Sequence, residues 1–347
     1  MLRLYAERKK KQGQEELKLD RFVIYQYFMC SDINKEQKMK VSVIICTYSL
    51  ERLNDTVDAV DSILKQTYTD LEVIISVDHN EKLLQVLKER FPEEVLFAFN
   101  NNVKGLSDTR NAGVKKATGD IIAFIDDDAK ADKRWAEVLV SNYTDPDVLS
   151  VGGKLVPLWE KNRPSWFPEE LDWVVGCTYK GHPQEKKEVR NLIGCNMSFR
   201  REVFARIGNF KPTIGRLGKI PLAGEEMEYC VRLQAMFTRG KVLFDPEAVV
   251  YHKVDKQRES LKYILKRSYG EGVSKSIINK STDKVKILST ENTYLKHLFL
   301  KSIPWYLGKS VLLKSPAQNT SRALTISMAI IATGIGYLRQ KMSLMPV

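Results

Sequence analysis

Cysteine is sparse in this 347-residue chain, and its five copies (Cys30, Cys46, Cys177, Cys195, Cys230) never fall in CxxC spacing. That excludes a zinc framework or a disulfide scaffold and fits a reducing compartment. The first forty residues lack the apolar core of a signal peptide and run instead through RKKKQGQEELKLDR, so the body is expected in the cytoplasm. No internal repeat is visible. No glycine lies in Tyr48–Asn54, directly after the first apolar run, which argues against the glycine-rich phosphate loop of a nucleotidyltransferase. Negative charge is in deficit: 55 Lys and Arg against 43 Asp and Glu leave a net +12. The partner is therefore expected to be anionic: nucleic acid, a phospholipid surface or a phosphorylated substrate. With 43% hydrophobic residues the chain can still bury a full core.

Against that background the most informative feature is Asp126-Asp127-Asp128, which closes the apolar run Ile121–Ile125. Such a run reads as a strand buried on both faces of a parallel sheet, and ligands bind at the carboxyl ends of those strands. Carboxylates about 4 Å apart repel by roughly 4 kcal/mol at an effective dielectric of 20. A cation is expected there, and a divalent metal is the economical choice. Alternation along the strand would point Asp126 and Asp128 one way and Asp127 the other. Three acids at its centre also argue against a phosphate-binding groove, and hence against a nucleic-acid partner. A non-catalytic basic membrane- or nucleic-acid-binding module and a metal-dependent nucleotidyltransferase are the competing readings.

The strand following Met39 looks like the true start of a domain, and Met39 like a second site of initiation. Strands are predicted at Val41–Thr47, Leu71–Val77 and Val95–Phe99, with helices over 51–66 and 81–90 between them. A short helix over Arg110–Lys116 precedes the acid-tipped strand. Beyond residue 150 the pattern changes, with a strand and turn over 191–201, a helix over Glu225–Met236 and a strand over Lys241–His252. The expected division is a basic extension (1–38), a catalytic α/β body (39–255, with halves 39–130 and 131–255) and a basic helical tail (256–347). In the tail, Leu295–Leu313 sets apolar residues among lysines, which favours an anionic lipid surface. The 16-residue run Ala323–Leu338 is slightly short of the roughly 20 residues that span a bilayer. The expected location is the cytoplasmic face of the cell membrane, peripheral or with a single C-terminal span.

The motifs VSVIICTY (Val41–Tyr48), LSDTRNAG (Leu106–Gly113), DDD (Asp126–Asp128), GCNMSFRREVFARIGNF (Gly194–Phe210) and GEEME (Gly224–Glu228) occur in an order that resembles the family 2 glycosyltransferases. The resemblance covers roughly residues 40 to 255. It implies a GT-A type doubly wound mixed sheet with helices on both faces, a nucleotide-sugar donor and Mg2+ or Mn2+. It further implies a nucleotide site of Thr47, Tyr48, Glu51, Asp78, Arg110, Asp126 and Asp127, with Asp128 and His252 on the metal. Glu226 would be the base of an inverting transfer, with Glu225 and Glu228 as rivals. Two positions depart from the family pattern: Glu226 stands where Asp is usual and Ser49 where Asn is frequent. The segment Pro164–Gly181 resembles archaeal glucosyl-dolichyl phosphate glucuronosyltransferases of N-glycan assembly. That implies a UDP-sugar donor and a lipid-linked (dolichyl or polyprenyl phosphate) or glycan acceptor. Trp166 and Trp173 would stack on sugar, line a lipid-facing groove or simply pack in the core.

Overall fold

Four apolar runs become the parallel half of a sheet in the computed structural model, which describes residues 38–212, 224–281 and 289–343 apart from 92 and 94. Residues 1–37 of the expected extension lie outside the described residues. β1 (Val41–Thr47), β2 (Leu71–Asp78), β3 (Leu96–Asn100) and β4 (Ile121–Asp126) run in the order β3-β2-β1-β4, each pair parallel. Because successive side chains leave a strand on opposite faces, β1 feeds two cores. Val43 and Ile45 pack with Ala59, Val60 and Ile63 of α1 (Leu53–Leu64) and with Leu83 and Leu87 of α2 (Glu81–Arg90). Ile44 and Cys46 face α3 (Leu106–Lys116) through Leu106, Ala112 and Val114. Burying each such aliphatic side chain contributes about 1.5–3 kcal/mol.

The second half supplies β5 (Ala129–Ala131), α4 (Trp135–Ser141), β6 (Val148–Trp159), β7 (Lys187–Glu188), β8 (Met197–Arg200), α5 (Arg201–Ile207), α6 (Glu225–Met236) and β9 (Lys241–Val254). Among the described residues nine strands form one sheet, β3-β2-β1-β4-β8-β6-β9-β5, with β7 paired to β9. β8 is antiparallel to both β4 and β6, whereas β6 and β9 are parallel, so the sheet is mixed. α4 joins α1 and α2 on one face, and α5 and α6 join α3 on the other. This is the expected α/β architecture with helices on both faces.

After β9 come α7 (Leu261–Ser281), α8 (Ser289–His297), a π-helical turn (Leu298–Ser302), α9 (Ile303–Val311) and α10 (Pro316–Met342). The predicted run 323–338 sits inside α10, whose length and composition alone would suffice to cross a membrane. α7 and α10 touch backbone to backbone: a Cβ on Gly272 would lie 2.0 Å from the Thr333 carbonyl oxygen, and one on Gly336 2.2 Å from that of Tyr269. α8, α9 and α10 also bind the segment that follows β6. The Tyr306 hydroxyl donates to Glu170 Oε2 at 3.0 Å, the Tyr294 hydroxyl donates to the Glu170 main-chain oxygen, and Arg322 Nε donates to the Ser165 carbonyl at 2.7 Å. The described residues from Met39 onward therefore fall in one unit, with no break near residue 255.

Gly336→Leu should lower stability by about 1–3 kcal/mol, as overpacking does, when unfolding is followed in urea. At Gly308 an added Cβ meets nothing within 4 Å, and there alanine should instead add about 0.5–1 kcal/mol. Similar effects at the two sites would mean that the α7–α10 crossing is loose.

Candidate active site

β4 ends at Asp126, and Asp127 and Asp128 form a turn into β5. The strand alternation expected over all three acids therefore stops after the first. Arg52, at the head of α1, donates from Nη1 to Asp127 Oδ1 and Asp128 Oδ2, both at 2.8 Å. Asp128 Oδ2 also accepts from Arg258 Nη2 at 3.3 Å, and its Oδ1 lies 3.3 Å from His252 Nε2. Burial works to raise Asp128, but His252, Arg258 and Arg52 outweigh it and hold this carboxyl far below the usual range. Burial pushes Asp127 up to about 6 despite Arg52, with Asp128 adding to the rise. The repulsion that the sequence reading assigned to a metal is thus met, at these two acids, by guanidinium groups of the protein itself.

Asp126 differs from its neighbours, since its side chain is 32% exposed and its nearest cation, Arg110 Nη2, is 3.7 Å away. Arg110 is buried on α3. It donates to Glu225 Oε1 at 3.0 Å and to the Gly194 carbonyl at 3.3 Å. It also lies over the rings of Phe124 and Phe210 at 5.8 and 5.7 Å. One buried guanidinium therefore links the acid end of β4 to the start of α6.

The chain enters α6 through Gly224, whose φ of +117° is in the region only glycine adopts readily and where a Cβ would meet Ile278 at 2.8 Å. Of the three glutamates that follow, Glu225 is held by Arg110, and Glu228 by Arg232 at 3.0 Å and Lys211 at 2.8 Å. Among the described residues Glu226 has no such cation, and it lines the cavity. Burial, and next the Glu225 carboxylate, push it up to about 8.

That cavity, about 930 Å³, is lined by Arg110, Asp126, Glu225, Glu226 and His252, and on its far wall by α7, α8 and α10. The remaining nucleotide-site candidates stand outside its lining. Thr47 is buried against Thr56 with 3.1 Å between hydroxyls. Tyr48 is exposed, with Arg52 5.8 Å from its ring, and Glu51 is exposed one turn on. Asp78 accepts from Asn100 at 2.9 Å and from the Gly105 amide at 3.1 Å, which pins the loop ahead of α3. Trp173 lines the cavity, whereas Trp166 packs on Phe167.

Donor atoms of Asp126, Cys195 and His252 lie within 4.8 Å of one another, a grouping that can hold a metal ion. The carboxylate and imidazole of this grouping are donors that divalent ions accept, and burial holds the Cys195 thiol well above its usual pKa. Sequence reasoning missed Arg52, Arg258 and Cys195. Arg258, six residues after His252, carried the only local hint, a basic residue just past the histidine-bearing strand.

Over 303 residues the chain is 36% identical to a glucosyl-dolichyl phosphate glucuronosyltransferase of Haloferax volcanii, covering 86% of this chain and 96% of the relative. Residues 42–208 match the family described as Glycosyl transferase family 2. The chain belongs to glycosyltransferase family 2. It is an enzyme of that class, which sets aside the non-catalytic and nucleotidyltransferase readings. A succinoglycan biosynthesis protein of Rhizobium meliloti is 24% identical over 242 residues, spanning 68% of this family 2 chain and 74% of that protein. In fold, the enzyme is similar to a mannosyltransferase from Pyrobaculum calidifontis solved in complex with GDP-Man and Mn2+, with a TM-score of 0.57 at 16% identity over 92% of this chain and 95% of that one.

Removing one partner of a buried ion pair typically costs about 3–5 kcal/mol. Arg110→Met should therefore destabilise the enzyme by that amount in urea unfolding, and the Arg110→Met/Glu225→Met double variant by less than the two singles combined. Additive losses would show that the pair is not coupled.

Proposed function

We propose that this family 2 glycosyltransferase moves a sugar, with inversion, from a UDP-linked donor to an acceptor carried on dolichyl or polyprenyl phosphate. The observation that carries the reading is Glu226, which among the described residues is the glutamate at the head of α6 not committed to a cation and which lines the same cavity as Asp126. In inverting transfer the acceptor hydroxyl attacks the anomeric carbon opposite the diphosphate, the bond to the diphosphate breaks, and the hydroxyl proton passes to a carboxylate base. Glu226 takes that proton. Arg110 fixes Glu225 beside it and presents positive charge toward Asp126 and the diphosphate. Asp126 and His252 would hold Mg2+ or Mn2+, with Asp128 sharing the histidine; such an ion, when bound, stabilises the charge gathering on the leaving diphosphate.

Thr47, Tyr48, Glu51, Asp78 and Asp127, grouped around the ends of β1, β2 and β4, take the nucleotide, in keeping with ligand binding at the carboxyl edge of such sheets. In this scheme residues 39–130 serve the donor, residues 131–255 the acceptor, and residues 256–347 bring the enzyme to lipid. The name of the Haloferax relative extends the reading to a glucuronosyl group and a glucosylated lipid phosphate. Membrane docking is supported by Leu300, Val311, Leu312 and Leu313, exposed by 73, 82, 68 and 80% beside Lys301, Lys309 and Lys314. Each lysine near an anionic surface adds about 1 kcal/mol. The cytoplasmic leaflet is the surface proposed.

A screen of UDP-sugars with added Mn2+, read as UDP release, tests the reading directly. Glu226→Gln should keep UDP affinity while transfer falls by about 10²–10⁴; an undiminished rate would move the base elsewhere. A base whose pKa is raised to about 8 is mostly protonated at neutral pH. The wild-type rate should therefore climb as pH passes through about 8 and then level off, a limb absent from Glu226→Gln.

Replacing Leu312 and Leu313 by serine should weaken co-sedimentation with anionic vesicles about tenfold or more, since each buried leucine is worth about 1.5–3 kcal/mol. Unchanged sedimentation would assign docking to another surface.

A further inference from the structure

Outside the cavity lining, directly after β2, His79 has a φ of +51°. Left-handed backbone is strained for a residue with a Cβ, and such strain persists where the surroundings enforce it, often at functional sites. Two sets of bonds enforce it here. The His79 amide donates to the Asn100 carbonyl at 3.1 Å, carrying the pairing of β2 with β3 one residue past Asp78. Asn80, the next residue, caps α2 by accepting from the Leu83 amide at 3.0 Å. The turn between ladder and cap is thus a single residue. Glycine would make it without strain, yet the chain places a histidine there.

The imidazole is held by Asp78. His79 Nδ1 lies 2.8 Å from Asp78 Oδ1. That oxygen also accepts from Asn100 Nδ2 at 2.9 Å, and Oδ2 accepts from the Gly105 amide at 3.1 Å. Three donors therefore converge on the two oxygens of Asp78, a residue only 8% exposed. A carboxylate accepts and does not donate, so the neutral ring carries its proton on Nδ1 and leaves a lone pair on Nε2. No group among the described residues takes that nitrogen, and the side chain is 31% exposed. Asn80 Nδ2 donates to the Tyr48 carbonyl at 3.0 Å, which ties the end of β1 to the same turn. Tyr48 is 56% exposed. An open aromatic ring and an aimed acceptor thus stand on two turns joined by one side chain. A planar heterocycle with an N–H on its edge matches that pair, since it can stack on the one and donate to the other.

Resting on the UDP-donor reading above, we propose that His79 is the residue that recognises uracil: its Nε2 accepts the N3–H of the base, and Asp78 is a positioning residue that fixes the ring and its tautomer. The same nitrogen would meet a lone pair at N3 of cytosine and a methyl group in N3-methyluracil, so both are disfavoured.

Calorimetric titration of the full chain with UDP, N3-methyl-UDP and CDP in the presence of Mn2+ tests this. Wild type should bind UDP about tenfold more tightly than either analogue, the scale of one hydrogen bond whose loss leaves a group unpaired. His79→Gly suits the backbone of the turn, and His79→Asn tolerates positive φ. In both, UDP should fall to the level of N3-methyl-UDP, while N3-methyl-UDP binds as in wild type. A histidine with a purely structural role would weaken the two nucleotides equally. If Asp78, still held by Asn100 and Gly105, read the base itself, the glycine variant would keep the preference for UDP. The chain has four histidines, so with ring-15N labelling the signals missing from His79→Gly identify His79, and its Nε2 should respond more to UDP than to N3-methyl-UDP. A wild type that binds the three nucleotides alike, variants that keep the preference, variants that weaken both nucleotides equally, or an Nε2 signal that responds alike to both would overturn the assignment. UDP release separates the two levels. If UDP-sugars are turned over and one of those results is obtained, only His79 falls; if wild type binds no UDP or prefers GDP, the UDP-donor reading falls with it.

Discussion

The structure around the site depends on placing five carboxylates, Asp126, Asp127, Asp128, Glu225 and Glu226, at one edge of a sheet without letting them repel one another apart. At about 4 Å and an effective dielectric of 20 each like-charged pair costs roughly 4 kcal/mol, so the arrangement holds only if cations are interleaved. Three arginines from distant parts of the chain do this: Arg52 between Asp127 and Asp128, Arg258 on Asp128, and Arg110 between Asp126 and Glu225. Neutralisation is uneven. Asp126 has only a distant guanidinium, and Glu226 has no cation in contact among the described residues; both line the cavity, together with the Arg110-bound Glu225. The acids with the least cationic compensation thus sit where, in the proposed reaction, a metal ion and a proton would be taken up, while the better-paired acids hold the frame.

Much of the frame was legible from pattern alone, because the parallel strands are uninterrupted apolar runs and the helices beside them have clear periodicity. The helix at Glu81–Arg90 and the one at Glu225–Met236 fall where the spacing places them. β5, with three residues, is too short for period-two alternation to register, whereas β8 falls inside the strand and turn read over 191–201. The acid triplet was legible as a site, but its counter-charges were not. A carboxylate cluster signals that cations are needed nearby without saying whether a metal or an arginine 75 residues away supplies them. Strand alternation likewise misjudged the triplet, since it presumes that extended backbone continues past Asp126. Of the cations that set Glu225 and Glu228 apart from Glu226, Arg232 lies four residues past Glu228 on the same helix and was legible, whereas Arg110 and Lys211 meet Glu225 and Glu228 only through tertiary packing.

The tail shows the same limit from the other side. Composition marks it as basic and apolar, which fits a surface helix and a spanning one equally well. What separates them is the inner face of α10. Gly336 lets its backbone meet that of Tyr269, Ala323, Ile326 and Ala329 are buried, and Arg322 is bonded to Ser165. A helix drawn out to cross a bilayer would give up that crossing and those contacts, and would open the wall of the cavity that holds Glu226. Keeping α10 in place leaves Leu324, Ile331, Ile335 and Leu338 facing outward in a stripe along the helix, a geometry suited to lying in the interface. In the proposed function, the surface offered to lipid and a wall of the cavity are then two faces of one helix.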